Sequence, residues 1–479
     1  MKKTFSYLLG LLFYVISNEG FGQHLVLSPD ELKQDFEIFR GSIEEMHPGL
    51  YWYSSKKEMD ELFESIESSL DRRLTDLEFF RLLSRAIAKT RCVHTWITPS
   101  KSTNKNIWEG PLLPIQIRMV EDKAYFFKNH SEQKLPIVPG QQILEINGYS
   151  IDSLKHLSYQ VHSGDGWITT GKKKTFERFF HFFYAFQVGQ PDTYDLAYLD
   201  QEGKVSNTQV KAIPEKKFHD HPSSREHPNI QLAILNHSTT LLTVRAFDNW
   251  KEEGKKKKFL KELRTAFLKI DSAKTNNLII DIRKNGGGTE KFGMKLCSYF
   301  IRDAFHGYKQ IRFKTTKFKY RKYSKTSRFM VLIYMALLDH EKVNDTTYLL
   351  KNNNNLKPVK PSEPHFAGNT YILTNGWTYS TAADFSALMH SQGVATFIGE
   401  ETGGGYRGNS GNYEFEFVLP NSKIRFNVPL AQYLTNVSYN TKNYGRGVIP
   451  DHHVLPTIEN LINEVDTELD YTLSLIEKE

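Results

Sequence analysis

An α/β fold is what this sequence predicts, and three observations carry the prediction. From Ile230 onward, strand-like segments alternate with helical ones. One of the strands, "LIIDI" at 278–282, is apolar almost throughout, as strands buried on both faces are. Ahead of this region lie a stretch of helical period from about 29 to 92 and a stretch of period two from about 113. A chain of 479 residues exceeds what one compact core holds, so two or three domains are expected.

The elements follow in order. "MKKTFSYLLGLLFYVISNEGFGQ" has two lysines, an apolar stretch from Tyr7 to Ile16 and small residues at Gly20 and Gly22, the pattern of a signal peptide ending before Gln23. The apolar run is short for a membrane anchor, no cysteine follows it for lipid attachment, and no later segment reads as transmembrane. An exported protein, periplasmic, envelope-associated or secreted, with no stable membrane insertion after cleavage, is therefore expected. "SPDELKQDFEIFRGSIEEMHP" opens on a helix start and keeps apolar residues three and four apart until Pro48 and Gly49. "KKEMDELFESIESSL" and "LTDLEFFRLLSRAIAKT" repeat the pattern.

Alternation then predicts two strands in "LPIQIRMVEDKAYFF" and a hairpin in "YDLAYLDQEGKVSNTQVKAI". Between them, "IVPGQQILEINGYSIDSL" has a turn glycine, a strand and the tight turn Asn147-Gly148, and resembles the carboxylate-loop and hairpin signature of a PDZ-like module. An ordinary β-hairpin is the alternative. A polar linker follows near 214–229. Beyond it come the strands of "IQLAILNHSTTLLTVRAF", an amphipathic helix in "FLKELRTAFLKI", the strand "NLIIDIR" and the helix "KFGMKLCSYFI". The strand "TYILTN", the helix "AADFSALMHSQG" and the strand "ATFIGE" complete the pattern.

Charge argues against nucleic acid as a partner. The formal charge is +7 with the first two lysines included, and the excess is local. "KEEGKKKKFLKEL" reads as a solvated helix face, and "KQIRFKTTKFKYRKYSK" alternates as an exposed strand does, with an anionic partner as the alternative. Two cysteines, Cys92 and Cys297, fit no metal pattern, and they either pair or stay as buried thiols. The histidines are scattered without a His-Glu-x-x-His motif, so no metal or organic cofactor is implied.

Two segments carry chemistry. In "LIIDIRKNGGGTE" a strand runs into Gly286-Gly287-Gly288, where backbone N–H groups unobstructed by side chains can converge on an oxyanion. The loop lacks the Gly-Lys-Ser/Thr ending of a phosphate loop. In "TNGWTYSTAADF", Ser380 stands at a strand-to-helix junction, where it is either an N-cap or a nucleophile. No Gly-x-Ser-x-Gly elbow surrounds it. The N–H of Thr381 would supply a further oxyanion donor beside Gly286 and Gly287.

"LIIDIRKNGGG", "ILTNGWTYSTAADF", "IGEETGGG" and "GVIPD", in this order, resemble the C-terminal processing peptidase and tricorn family of serine peptidases; "RCVHTWI" and "HPGLYWY" resemble the amino-terminal region of its secreted bacterial members. The resemblance implies a crotonase-like catalytic core at 228–479, a PDZ-like β-rich insert at 106–215 and a helical region at 23–105 behind a signal peptide at 1–22. It implies endopeptidase hydrolysis of a protein or peptide through an acyl-enzyme. The processing branch uses a lysine base, but Gly405 occupies that place here, and Arg407 stays protonated. The tricorn-like branch takes a histidine, which matches His94; a packed structural histidine is the other reading. An imidazole base predicts activity rising through a pKa of roughly 6–7.5. A nucleophilic Cys92 beside His94 is disfavoured, because side chains two apart in a strand need not converge. That branch also carries a glutamate just before its last motif, where this chain has Tyr444. Thr95 or another acid would have to orient the imidazole. Without one, the alternative is a catalytically impaired module that binds peptides or apolar ligands.

Overall fold

Each of the three amino-terminal helices begins at a capping box. Ser28, Ser55 and Thr75 exchange hydrogen bonds with Glu31, Glu58 and Glu78, opening α1 (Pro29–Met46), α2 (Lys56–Glu67) and α3 (Asp76–Lys89). Losing such a cap costs about 1 kcal/mol. The computed structural model describes residues 24–218, 228–248, 256–326, 339–438 and 443–478. The expected signal peptide and its cleavage point lie outside these residues, as do parts of the 214–229 linker and of the lysine run at 251–257.

α1 buries Leu32, Phe36, Phe39 and Ile43, each contributing about 1.5–3 kcal/mol, and Phe39 meets the Phe426 ring edge-on at 5.0 Å. Asp35 fixes the same contact by accepting from the Asn421 N–H and from the N–H and hydroxyl of Ser422. The helical region is thereby bolted to the carboxy-terminal half.

The alternating region forms an antiparallel sheet in the order Val205–Lys211, Thr193–Leu199, Gln142–Ile146, Lys123–Asn129, Ile115–Val120. The expected Asn147-Gly148 turn is present, with φ of 50° and 76° pairing Ile146 with Tyr149. Helices at Ile151–Val161, Thr170–Arg178 and Phe180–Gln187 pack beside this sheet. Neither of the last two carries a clean helical period in the sequence: "TGKKKTFER" is mostly polar and "FHFFYAFQ" is apolar on most sides.

A second sheet runs β1 (Ile230–Ile234), β2 (Thr239–Val244), β3 (Asn277–Asp281), β4 (Asn369–Thr374), β5 (Thr396–Gly399) and β6 (His452–His453), neighbours in space as in sequence. β1 is antiparallel to β2; β2 through β6 are mutually parallel. Helices Lys256–Ser272, Glu290–Cys297 and α4 (Thr381–Ser391) lie between its strands in sequence. Ile279, Tyr371, Leu373 and Ile398 on one face pack with the final helix, Thr467–Ile476. Leu278, Ile280 and Ile372 belong to the main core. The expectation of a mixed α/β fold is met.

One local expectation is corrected, and one of two open alternatives is met. The basic stretch at 309–325 is not one exposed strand. Tyr308–Phe313 lies inside a five-stranded sheet, between Thr347–Leu350 and Ala431–Thr435, and Lys319–Tyr323 is a 3-10 turn whose Lys319 N–H donates to Glu45 at the end of α1. Cys92 and Cys297 are both buried free thiols.

Candidate active site

Parallel sheets present ligands at the carboxyl ends of their strands. The glycine loop leaves the end of β3, the serine loop leaves β4 and "EETGGG" leaves β5, so three adjacent strand ends deliver all three motifs to one place. Asn285, fully buried, ties two of them together. Its side chain donates to the Val244 carbonyl, and its own carbonyl accepts from the Tyr379 N–H.

Ser380 occupies the N-cap position of α4 but does not cap it: its side chain makes no capping bond. Its backbone sits at φ 50° and ψ −128°, a conformation costly for a residue with a Cβ. The loop before it is held rigidly enough to sustain this, with Thr378 Oγ1 donating to the Ile282 carbonyl and the Gly404 N–H donating to Thr378 O. The serine hydroxyl instead faces His94, with Ser380 Oγ and His94 Nε2 3.3 Å apart. These residues are 286 positions apart in sequence.

His94 reaches the site because its segment is fastened to the core strand Arg425–Val428. Ile97 and Thr98 pair with Phe426 and Arg425. Asn427 adds a side-chain clamp, its amide donating to His94 O at 2.8 Å and its oxygen accepting from the Trp96 N–H at 2.7 Å. Gly411 supplies the space for the ring, since a Cβ there would stand 3.2 Å from His94 Cδ2. Burial draws the imidazole down to about 4, below the range its residue type alone suggests. Its Nδ1 is buried with no hydrogen-bond partner. Thr95, a candidate orienting group, is engaged elsewhere: its hydroxyl lies 2.9 Å from His47 Nε2. Tyr444 donates to the Trp52 carbonyl and packs its ring against Tyr53 and Trp167.

The glycine loop divides its roles. The Gly287 N–H donates to Asn285 Oδ1 at 2.9 Å, so this donor is occupied. Gly287 stands at φ 105°, and a Cβ on it would lie 2.7 Å from Ser380 Cβ, so only glycine fits against the serine. Gly286 is exposed and has open space where its side chain would be. The N–H groups of Gly286 and of Thr381 donate to no acceptor among the described residues. Thr381 Oγ1 donates to Gly288 O at 2.7 Å, locking the helix start to the glycine loop.

Cys92 and His94 do converge, contrary to the reasoning from strand geometry, because residues 91–95 form a turn and not a strand. With Asp165 they place three ligand-type atoms within 4.8 Å of one another. The group suits neither a thiolate nucleophile nor a metal as it stands. Burial pushes the Cys92 thiol up to about 12, and its sulfur donates to Ser410 O. Arg283, at the end of "LIIDIR", points to scaffolding: it bridges Asp281 to Asp466 and Glu468 at the start of the last helix.

Residues 238–454 match the model of peptidase family S41. The match covers a little under half of the chain, and over that span the chain is similar to this family. The chain is similar in structure to mature CPAF complexed with lactacystin, at 12% identity and a TM-score of 0.63, covering 93% of this chain and 98% of that one. The photosystem II D1 C-terminal processing protease is 12% identical with a TM-score of 0.40, covering 89% and 94%. The tricorn protease is 13% identical with a TM-score of 0.41, covering 94% of this chain and 37% of its own. At these identities the CPAF likeness is one of fold. No curated relative matches the chain by sequence. The match to family S41 supports a serine-type peptidase acting on protein, and among the described residues no helix is long and apolar enough to cross a membrane.

Proposed function

We propose that this protein is an exported serine endopeptidase that cleaves through an acyl-enzyme on Ser380, with His94 as general base. The observation that carries the reading is the strained, non-capping Ser380 with its hydroxyl 3.3 Å from His94 Nε2. A cap would bond its own helix. This serine forgoes that bond and turns to an imidazole supplied by another part of the chain.

Nε2 takes the hydroxyl proton as Oγ attacks the scissile carbonyl. The carbonyl oxygen becomes an oxyanion between the N–H groups of Gly286 and Thr381, with Gly287 keeping the loop close to the serine. The protonated imidazole then gives its proton to the leaving amine, and water repeats the sequence to release the acid. The crotonase-like core at 228–479 and the PDZ-like insert at 106–215 belong to this proposal, supported by the consecutive parallel strands and by the Asn147-Gly148 hairpin. Export to the periplasm, envelope or medium rests on the leader-like first 22 residues.

One observation favours the second reading, an impaired peptide- or apolar-ligand-binding module: His94 Nδ1 has no partner. A fluorophosphonate probe separates the two. The peptidase reading expects covalent labelling of the wild type and none of Ser380→Ala or His94→Ala at equal fold stability; an unlabelled wild type would reject it.

A further inference from the structure

A histidine base needs its second nitrogen held. For Nε2 to accept from Ser380, the imidazole proton must sit on Nδ1, and in the transition state that proton belongs to a cation. Nδ1 is buried and unpartnered, and Tyr444 supplies no carboxylate.

A carboxylate stands on the other side. Asp165, 3% exposed, lies in the loop between the helices Ile151–Val161 and Thr170–Arg178. One of its oxygens, a His94 ring nitrogen and Cys92 Sγ are within 4.8 Å of one another. Its Oδ1 accepts from the N–H of Val93, the residue before the histidine, at 2.9 Å. That places the carboxylate beside the backbone from which the imidazole springs, and Nδ1 is the nitrogen nearer that backbone. Its Oδ2 accepts from the Gly405 N–H at 3.3 Å, at the position a lysine base takes in the processing branch. The loop is fastened to both neighbours: the Gly166 N–H donates to Arg91 O and the Trp167 N–H donates to Gly445 O. Among the described residues no cation forms an ion pair with Asp165. The titratable groups that interact with it, besides His94, are Cys92, Tyr53 and Tyr379, each raised by burial and so neutral at pH 7, and Asp384, raised by burial to about 7. Burial also pushes the Asp165 carboxyl up to about 6, which leaves it ionised at that pH.

We propose that Asp165 is the positioning acid of His94, closing on Nδ1–H when substrate fills the site. Catalytic hydrogen bonds are commonly long in unliganded enzymes and tighten in the complex. Asp165 stays ionised throughout: the Ser380 proton goes to Nε2 and then to the leaving amine, while the carboxylate fixes the tautomer and stabilises the imidazolium. The site's acid would thus come from the middle of the chain.

This inference rests on the Ser380–His94 peptidase reading, and the experiment separates the two failures. Probe labelling and peptide turnover are measured for wild type, Asp165→Asn, Asp165→Glu and Ser380→Ala, with thermal melts. Asp165→Asn should lower kcat about 100-fold or more with KM within about threefold, and Asp165→Glu should recover part of the loss. The base pKa in the kcat/KM profile should fall in the Asn variant, because the charge that favours imidazolium is gone. A folded Asp165→Asn within about threefold of wild-type kcat overturns the assignment while leaving the peptidase reading intact. A wild type that neither labels nor turns over overturns both. Should Asp165→Asn not fold, the wild type decides by NMR with ¹⁵N-histidine during probe adduct formation. A strongly downfield Nδ1–H proton, absent from His94→Ala, is expected; its absence from the wild-type adduct rejects the proposal.

Discussion

The proposed nucleophile and the histidine that faces it are held in place in opposite ways. Ser380 is fixed largely by its own neighbourhood in sequence: β4 delivers it, the turn at Asn375–Thr378 bends the chain, and α4 carries it away. His94 sits in a turn with no regular structure of its own, and everything that orients it arrives from elsewhere: Asn427 from a core strand, Gly411 from another, and the Asp165 bond to Val93. A nucleophile can be written into a short motif because its strain is local. A base assembled from remote contacts leaves only a faint mark on the sequence around it.

The strongest way to break the comparison is at the serine. Ser380→Ala should abolish probe labelling and lower turnover about 10⁴-fold or more, while the melting temperature holds or rises, because no capping bond is lost. A loss of about 0.5–2 kcal/mol in stability with activity intact would instead make Ser380 an N-cap. His94→Ala should cost about 10²–10⁴-fold; burial alone holds the imidazole near 4, and the ionised Asp165 closing on Nδ1–H should lift the kinetic pKa of the wild type above that value. A kinetic pKa at or above the ordinary histidine value would place an ionised acid against Nδ1 in the working enzyme.

Asn427→Ala tests the remote support without touching the chemistry. It removes the acceptor of the Trp96 N–H and the donor to His94 O, and should cost about 1–3 kcal/mol in stability and about 10–100-fold in kcat. Unchanged kcat in a folded variant would show that the turn at 91–95 holds the histidine unaided. Gly411→Ala should give a smaller loss, about 3–10-fold, as a methyl 3.2 Å from the ring displaces it by a few tenths of an ångström.

The smallest expected effect is on stability, and here acid acts on the two regions with opposite sign. Asp384, in α4, is raised to about 7 by burial although it accepts from Tyr308 and Thr435. The folded state holds that proton more tightly than the unfolded one, so its contribution is full below about 3.8 and is lost as pH rises through about 7. His94 is depressed from 6.5, so its contribution is present above 6.5 and lost as pH falls towards about 4. Between pH 7 and 5, wild type should gain on the order of 1–2 kcal/mol relative to Asp384→Asn and lose a similar amount relative to His94→Ala. Parallel melting curves for all three proteins would refute this.

The same division explains what was legible. The start of the first lead helix at Ser28, the Asn147-Gly148 turn and the apolar strand through Leu278–Asp281 are short-range signals, and each appears where the sequence puts it. So do the glycine and serine loops that the fold brings together. Asn285, Asn427, Gly411 and Asp165 gave no signal, because a polar or small residue on an irregular loop looks the same whether it touches solvent or a histidine hundreds of residues away. The strands at Gly408–Gly411 and Ala431–Thr435 were invisible for a related reason: "GNSG" has no apolar alternation, and only its pairing with Leu434, Tyr433, Gln432 and Ala431 makes it a strand.

The clamp between Asn427 and the turn at 91–95 also sets an order in time. A ribosome releases His94 long before it has made Arg425–Val428, and until that strand is in place the imidazole lacks the Asn427 clamp that holds it opposite Ser380. On the proposed mechanism a partly made chain should therefore be inactive, and activity should appear only when its most distant segments have met. Refolding should show the same delay, with tryptophan fluorescence recovering before probe labelling does, because contacts far apart in sequence close last.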